Sequence, residues 1–156
     1  MINRFLRHVL LVALSGTMVL AQAPAKPTET DVEVFKSATC GCCSQWVEHM
    51  RAAGFTVRVK DLGDAELQQL KKKAGVPDSA QSCHTARVGG YIVEGHVPAS
   101  TVRRLLVERR KVVGLAVPGM PIGSPGMENP NVKAQPYDVL TFDAAGKTTV
   151  FSTIKP

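Results

Sequence analysis

The sequence predicts an α/β domain: a central mixed sheet with flanking helices, followed by a Gly/Pro/Met loop and a C-terminal β-hairpin. Three observations carry that expectation. β-rich runs alternate with Gly- and Pro-free runs of helical apolar spacing over residues 31–74. The pair Gly89-Gly90 separates two short β-rich runs, which is a hairpin signal. Three cysteines within four residues, Cys40-Gly41-Cys42-Cys43, stand where the first predicted strand gives way to the first predicted helix.

Taken in order, residues 31–36 alternate polar and apolar side chains and read as a strand. Residues 44–53 carry Trp46, Val47 and Met50 at helical spacing, with Cys40 just ahead of the helix and Cys43 one turn in. Gly54 suits that helix's C-cap. Residues 55–59 form a second strand, so this stretch is a βαβ unit, which favours parallel pairing. Asp64 is placed to cap a helix over 65–74, whose apolar side is Leu67 and Leu70 and which Gly75 stops. An irregular stretch leads to Cys83-His84, and the hairpin over 85–88 and 91–94 follows. Pro98 fits the first position of a helix running to about residue 110, with Val102, Leu105, Leu106 and Val107 inward. Residues 112–135 are rich in Gly, Pro and Met and lack periodicity. Their low charge favours a loop packed on the body, and long loops in compact domains are often functional. Residues 137–142 and 147–151 close the chain as a second hairpin. Strand, Cys-x-x-Cys helix, strand, helix, hairpin, helix is the thioredoxin order.

The chain has 156 residues, enough for one domain. Arg4, Arg7 and His8 precede an apolar stretch over 9–20 that suits a secretory signal and is short for a bilayer span. Ala21-Gln22-Ala23 supplies the small residues of a cleavage site. The expected organisation is therefore a signal peptide over 1–23, a linker over 24–30 and one domain over 31–156, exported to the periplasm with no membrane anchor after cleavage. Loss of Arg4 and Arg7 lowers the net charge from +6 to +4. Lys71-Lys72-Lys73 and Arg109-Arg110-Lys111 read as solvated helix faces. Low aromatic content and export argue against a nucleic-acid partner.

All four cysteines, Cys40, Cys42, Cys43 and Cys83, lie in the exported part. Two structural disulfides would be ordinary there. Three thiols crowded into one loop would staple little of the chain, so that reading is the weaker one. Two others stay open. Cys40-x-x-Cys43 has the spacing of a redox dithiol. Cys40-x-Cys42-Cys43 makes a compact claw of soft thiolate ligands, which select Cu(I), Zn(II) or iron–sulfur centres. Placement at a helix N-terminus lowers thiol pKa and helps both chemistries.

Four blocks together resemble a known family: Cys40-Gly41-Cys42-Cys43-x-x-Trp46-x-x-His49, Ser82-Cys83-His84-Thr85, Glu94-Gly95-His96-Val97-Pro98, and Gly119-Met120-Pro121-x-Gly123-Ser124-Pro125-Gly126-Met127-Glu128. They are similar to the small exported copper-resistance proteins of the CopG type, over roughly residues 31–152. The resemblance implies that residues 31–156 are a thioredoxin-like domain that binds copper through its cysteines, beside other periplasmic copper-handling proteins. In such a fold the loop before the third strand packs on the dithiol, so Cys83 would join Cys40, Cys42 and Cys43. Four thiolates exceed what one Cu(I) needs, which suggests more than one copper ion. His84, Met120 and Met127 are candidate additional ligands. His96 is expected to satisfy backbone groups, His49 to be structural or indirect, and Trp46 to anchor the core. The leading expectation is a copper-binding protein that sequesters, relays or redox-cycles Cu(I)/Cu(II). The alternative is a thiol–disulfide oxidoreductase using Cys40 and Cys43 as catalytic residues, against which Cys42 counts because a third thiol invites scrambling.

Overall fold

The computed structural model describes residues 29–155. The signal peptide expected over 1–23 and nearly all of the linker lie outside the described residues. The elements run β1 (Asp31–Lys36), α1 (Gly41–Ala52), β2 (Thr56–Asp61), α2 (Asp64–Lys73), β3 (Thr85–Val88), β4 (Tyr91–Glu94), α3 (Ala99–Glu108), β5 (Gly114–Ala116), β6 (Tyr137–Phe142) and β7 (Thr148–Ile154), with a short 3-10 turn at Asp78–Ala80. The seven strands form one mixed sheet in the order β2-β1-β3-β4-β5-β6-β7. β1 pairs with β2 in parallel, as the βαβ reading expected, and with β3 antiparallel. The hairpin β3–β4 turns at Gly89-Gly90 with Thr85 opposite Glu94.

Strand alternation sends two sets of side chains to opposite faces. On one face Val32, Val34, Ala86, Val88, Val93 and Leu115 pack with Trp46, Val47 and Met50 of α1 and Val102 and Leu105 of α3. Toward the other, Ala116 and Phe142 pack with Val76 and Ala80, which follow α2. The sheet is thus flanked by three helices, and α1 enters it with its N-terminus at the end of β1. Among the described residues, no helix is long and apolar enough to cross a membrane.

Several local expectations differ from the structure. Gly63, not Asp64, is the N-cap of α2, and the Glu66 carboxylate accepts the Gly63 N–H at 3.2 Å. Pro98 is the N-cap of α3 and not its first residue. That helix ends two residues early because Arg109 turns left-handed (φ 49°). Val107, expected inward, is 82% exposed, because it lies inside the helix but about 200° around from the buried Leu105. The stretch over 112–135 is not wholly loop: Gly114–Ala116 forms β5, which joins the C-terminal hairpin to the main sheet. β5 is three residues long and buried throughout, so it has neither the length nor the alternation that marks a strand in sequence. Lys71 is no part of a solvated face. It is 1% exposed and bonded to Glu94 and Thr85 beneath the sheet.

Candidate metal centre

The thiol loop is built by the start of α1. Cys40 is the helix N-cap in extended conformation, tied by its N–H to Ser37 O at 3.1 Å and by its carbonyl to Ser44 N at 3.3 Å. Cys42 and Cys43 fall in the first turn. Cys43 is fully buried, while Cys40, Cys42 and Cys83 are half-buried and open to solvent on one side. A disulfide joins Cys40 to Cys43, and Cys42 and Cys83 are free. Cys42 Sγ lies 3.6 Å from Cys40 Sγ. Cys83 comes from the segment just before β3, and all four sulfurs lie within 4.8 Å of one another. That span is close to twice a metal–sulfur bond of about 2.3 Å, so the free thiols of Cys42 and Cys83 could share a soft ion. Reduction of Cys40–Cys43 would free the remaining two ligands. Burial, with Cys42 as a close neighbour, pushes the Cys83 thiol up to about 11. A metal taken there must displace its proton.

Two imidazoles stand behind Cys83, and the three side chains form a second ligand group with atoms within 4.8 Å. His84, expected as a ligand, is fully buried against Trp46, with Nδ1 3.5 Å from Cys83 Sγ and Nε2 without a hydrogen-bond partner. Burial holds its pKa well below the usual value, and His96, Lys71 and Lys36 add to the effect. His96, expected only to satisfy backbone, does that and more. Its Nδ1 lies 2.8 Å from the carbonyl of Pro125, an acceptor only, so in the neutral ring Nδ1 carries the proton. The Nε2 lone pair then faces Cys83 Sγ at 3.0 Å. Burial lowers the His96 pKa and so favours that neutral form. An imidazole oriented through its second nitrogen is the usual arrangement of a metal ligand.

The Gly/Pro/Met loop is laid over this centre. Gly126 (φ +85°) lies so close to α1 that a Cβ there would fall 2.6 Å from Cys42 O and 2.8 Å from Trp46 N. The Gly119 carbonyl accepts the Ser82 hydroxyl at 2.5 Å, which ties the loop to the Cys83 segment as well. Met127 follows Gly126 and is half-buried; Met120 follows Gly119 and is 52% exposed. Their neighbours thus touch both halves of the thiol site. His49 accepts the Ala99 N–H at 3.0 Å and caps α3, a structural role as expected. Its pKa is lowered by burial, with Glu128 opposing. Trp46 anchors the core, donating Nε1–H to Val97 O at 2.8 Å.

A family model described as "Protein of unknown function, DUF411" matches residues 80–127, which span Cys83, both imidazoles and the overlying loop. The solved structure named "Copper resistance protein copG- Form 1" is 40% identical with a TM-score of 0.74, covering 81% of this chain and 98% of that one. The chain belongs to the CopG copper resistance protein family. A second CopG structure, "Copper resistance protein copG- Form 2", is 41% identical with a TM-score of 0.73 over 80% of this chain and 98% of that one. No curated protein matches. The CopG likeness covers almost the whole of those chains and about four-fifths of this one, so the domain fold is shared. A cysteine cluster in a chain whose relatives are named for copper resistance fits copper binding.

Proposed function

We propose that this chain is an exported, periplasmic protein that holds copper as Cu(I), for sequestration or relay, through Cys40, Cys42, Cys43 and Cys83. The observation that carries the reading is the meeting of sulfurs from two segments some forty residues apart within 4.8 Å. Thiolate ligands favour Cu(I), and imidazole tolerates either oxidation state. His96 is the first candidate for a nitrogen ligand beside the thiols, ahead of His84, on its fixed tautomer and its 3.0 Å approach to Cys83. Met120 and Met127 remain candidate thioether ligands, supported by the contacts of Gly119 and Gly126 with the two halves of the site. Four thiolates that can bridge favour more than one copper ion. The thioredoxin-like reading is supported by the strand order β2-β1-β3-β4, the parallel β1–β2 pair and the dithiol at the start of α1.

The Cys40–Cys43 pair favours redox cycling as part of the same function. On closing their disulfide the two thiols release two electrons and two protons, enough to reduce two Cu(II) to two Cu(I). A reductant of the dithiol class would reopen the disulfide. The test is anaerobic titration of the fully reduced protein with Cu(I), with elemental analysis of the washed product. The expected result is more than one copper per chain. A firm ratio of one would end the bridging account, and no uptake would end the copper reading.

The Cys40–Cys43 disulfide also favours a second reading, a thiol–disulfide oxidoreductase. Insulin reduction by metal-free protein separates the two. Sustained turnover that copper suppresses would favour the enzyme, and its absence the copper protein.

A further inference from the structure

Behind the metal centre, on the face of the sheet toward α2, lies a buried ionic network that copper ligation does not use. Lys71 and Glu94 are 1% and 0% exposed and pair at 2.5 Å. Lys71 also donates to Thr85 Oγ1 at 3.0 Å, and Thr85 donates to Glu94 Oε2 at 2.6 Å. Burial pushes the Glu94 carboxyl up, while Lys71, the Thr85 hydroxyl and the Ser82 N–H all favour its charged form. A buried ion pair is weak evidence for stability, since apolar replacements of the same volume are often as good. Its retention asks for another use, and the fourth contact supplies one. Glu94 Oε1 accepts the backbone N–H of Ser82 at 2.7 Å.

That bond lies where the β3–β4 ladder ends. The last paired residues of the strand ladder are Thr85 and Glu94. Beyond it, Gly95 N–H donates to His84 O at 2.9 Å, and the Glu94 carboxylate then takes the Ser82 N–H. Cys83 is thereby held between two anchors, one on each side. Gly95 lets the chains come this close, because a Cβ there would fall 2.5 Å from the Ser82 side chain and 2.7 Å from Val117 O.

We propose that Glu94, oriented by Thr85 and charge-balanced by Lys71, is the positioning residue that fixes Cys83 against the thiols of α1 through its bond to the Ser82 N–H. The consequence for copper rests on the function proposed above; the geometry can be tested without metal.

Two double variants remove the buried charges while differing in one contact. Lys71→Met with Glu94→Gln keeps an acceptor for Ser82 N–H, and Lys71→Met with Glu94→Leu does not. In metal-free protein, the rate of Cys42–Cys83 disulfide formation under mild oxidant, read by mass spectrometry of non-reduced peptides, reports the approach of the two sulfurs. The Gln variant should stay close to wild type. The Leu variant should be slower by on the order of tenfold, the effect of one lost buried hydrogen bond to a precise geometry. Copper per chain and the thiolate-to-copper absorption band should fall in the Leu variant alone. Equal coupling rates in two folded variants would overturn the positioning role, whatever copper does. Wild-type protein that takes no copper would overturn the functional reading and leave the coupling result standing. Should the Leu variant not melt cooperatively, Thr85→Val serves in its place. It removes the 2.6 Å bond that orients the carboxylate, and it should slow coupling severalfold; an unchanged rate there would equally overturn the role.

Discussion

The contact between the overlying loop and α1 gives the sharpest mutational prediction. Gly126→Ala places a methyl group 2.6 Å from Cys42 O and 2.8 Å from Trp46 N. Both are helix backbone atoms, so neither can rotate aside. The φ of +85° adds about 1–3 kcal/mol for any residue with a Cβ. The loop must lift, and the His96 Nδ1 bond to Pro125 O goes with it, at a further cost of about 1 kcal/mol. Gly119→Ala is the matched control. It has a φ of +67° but nothing within 4 Å of the added carbon, so it carries the backbone strain without the collision. The collision and lost bond together should cost about 2 kcal/mol beyond the control, which lowers the melting temperature of the metal-free domain by roughly 8 °C relative to Gly119→Ala. Copper affinity should fall on the order of tenfold, because His96 loses the partner that orients it. The assay is calorimetry of both variants beside wild type, with a competition titration against a Cu(I) chelator. Melting of Gly126→Ala within about 2 °C of the control would refute the claim that the loop is docked on α1.

Three further outcomes follow from the same geometry. Cys42→Ser leaves the Cys40–Cys43 pair intact and should lose most Cu(I) affinity in the chelator competition; unchanged affinity would count against the claw. His96→Gln should weaken copper by on the order of tenfold and remove imidazole scattering from the X-ray absorption spectrum, whereas an unaltered spectrum would exclude His96 from the ligand set. His49→Ala removes the acceptor for the Ala99 N–H and should cost about 1 kcal/mol of stability by denaturant titration, with copper binding unchanged.

Much of this arrangement is legible in the sequence because its signals are local. The alternation of residues 31–36, the helical spacing of Trp46, Val47 and Met50, and the Gly89-Gly90 turn each report one element, and all three elements form. The meeting of Cys83 with the α1 thiols is readable from the order of elements together with the placement of the thiols. His96 was within reach too. Continuing the hairpin register two residues beyond Thr85–Glu94 puts position 83 opposite position 96, and the side chains there meet at 3.0 Å. Pro98, two residues on, signals the start of α3 and masks that register. Lys71 could not be read from its neighbours. Three consecutive lysines on a helix are ordinarily solvated, and only the tertiary pairing with Glu94 distinguishes the first from the others. β5 is masked for a similar reason, since a strand buried throughout looks like any short apolar run.

If sulfurs of Cys83 and of the α1 loop share copper, copper X-ray absorption on reduced, Cu(I)-loaded protein will show it. Wild type should give a sulfur-dominated shell with a copper–copper vector, and Cys83→Ser should lose that vector along with bound copper. A spectrum and copper content that do not change when Cys83 becomes serine would contradict the account.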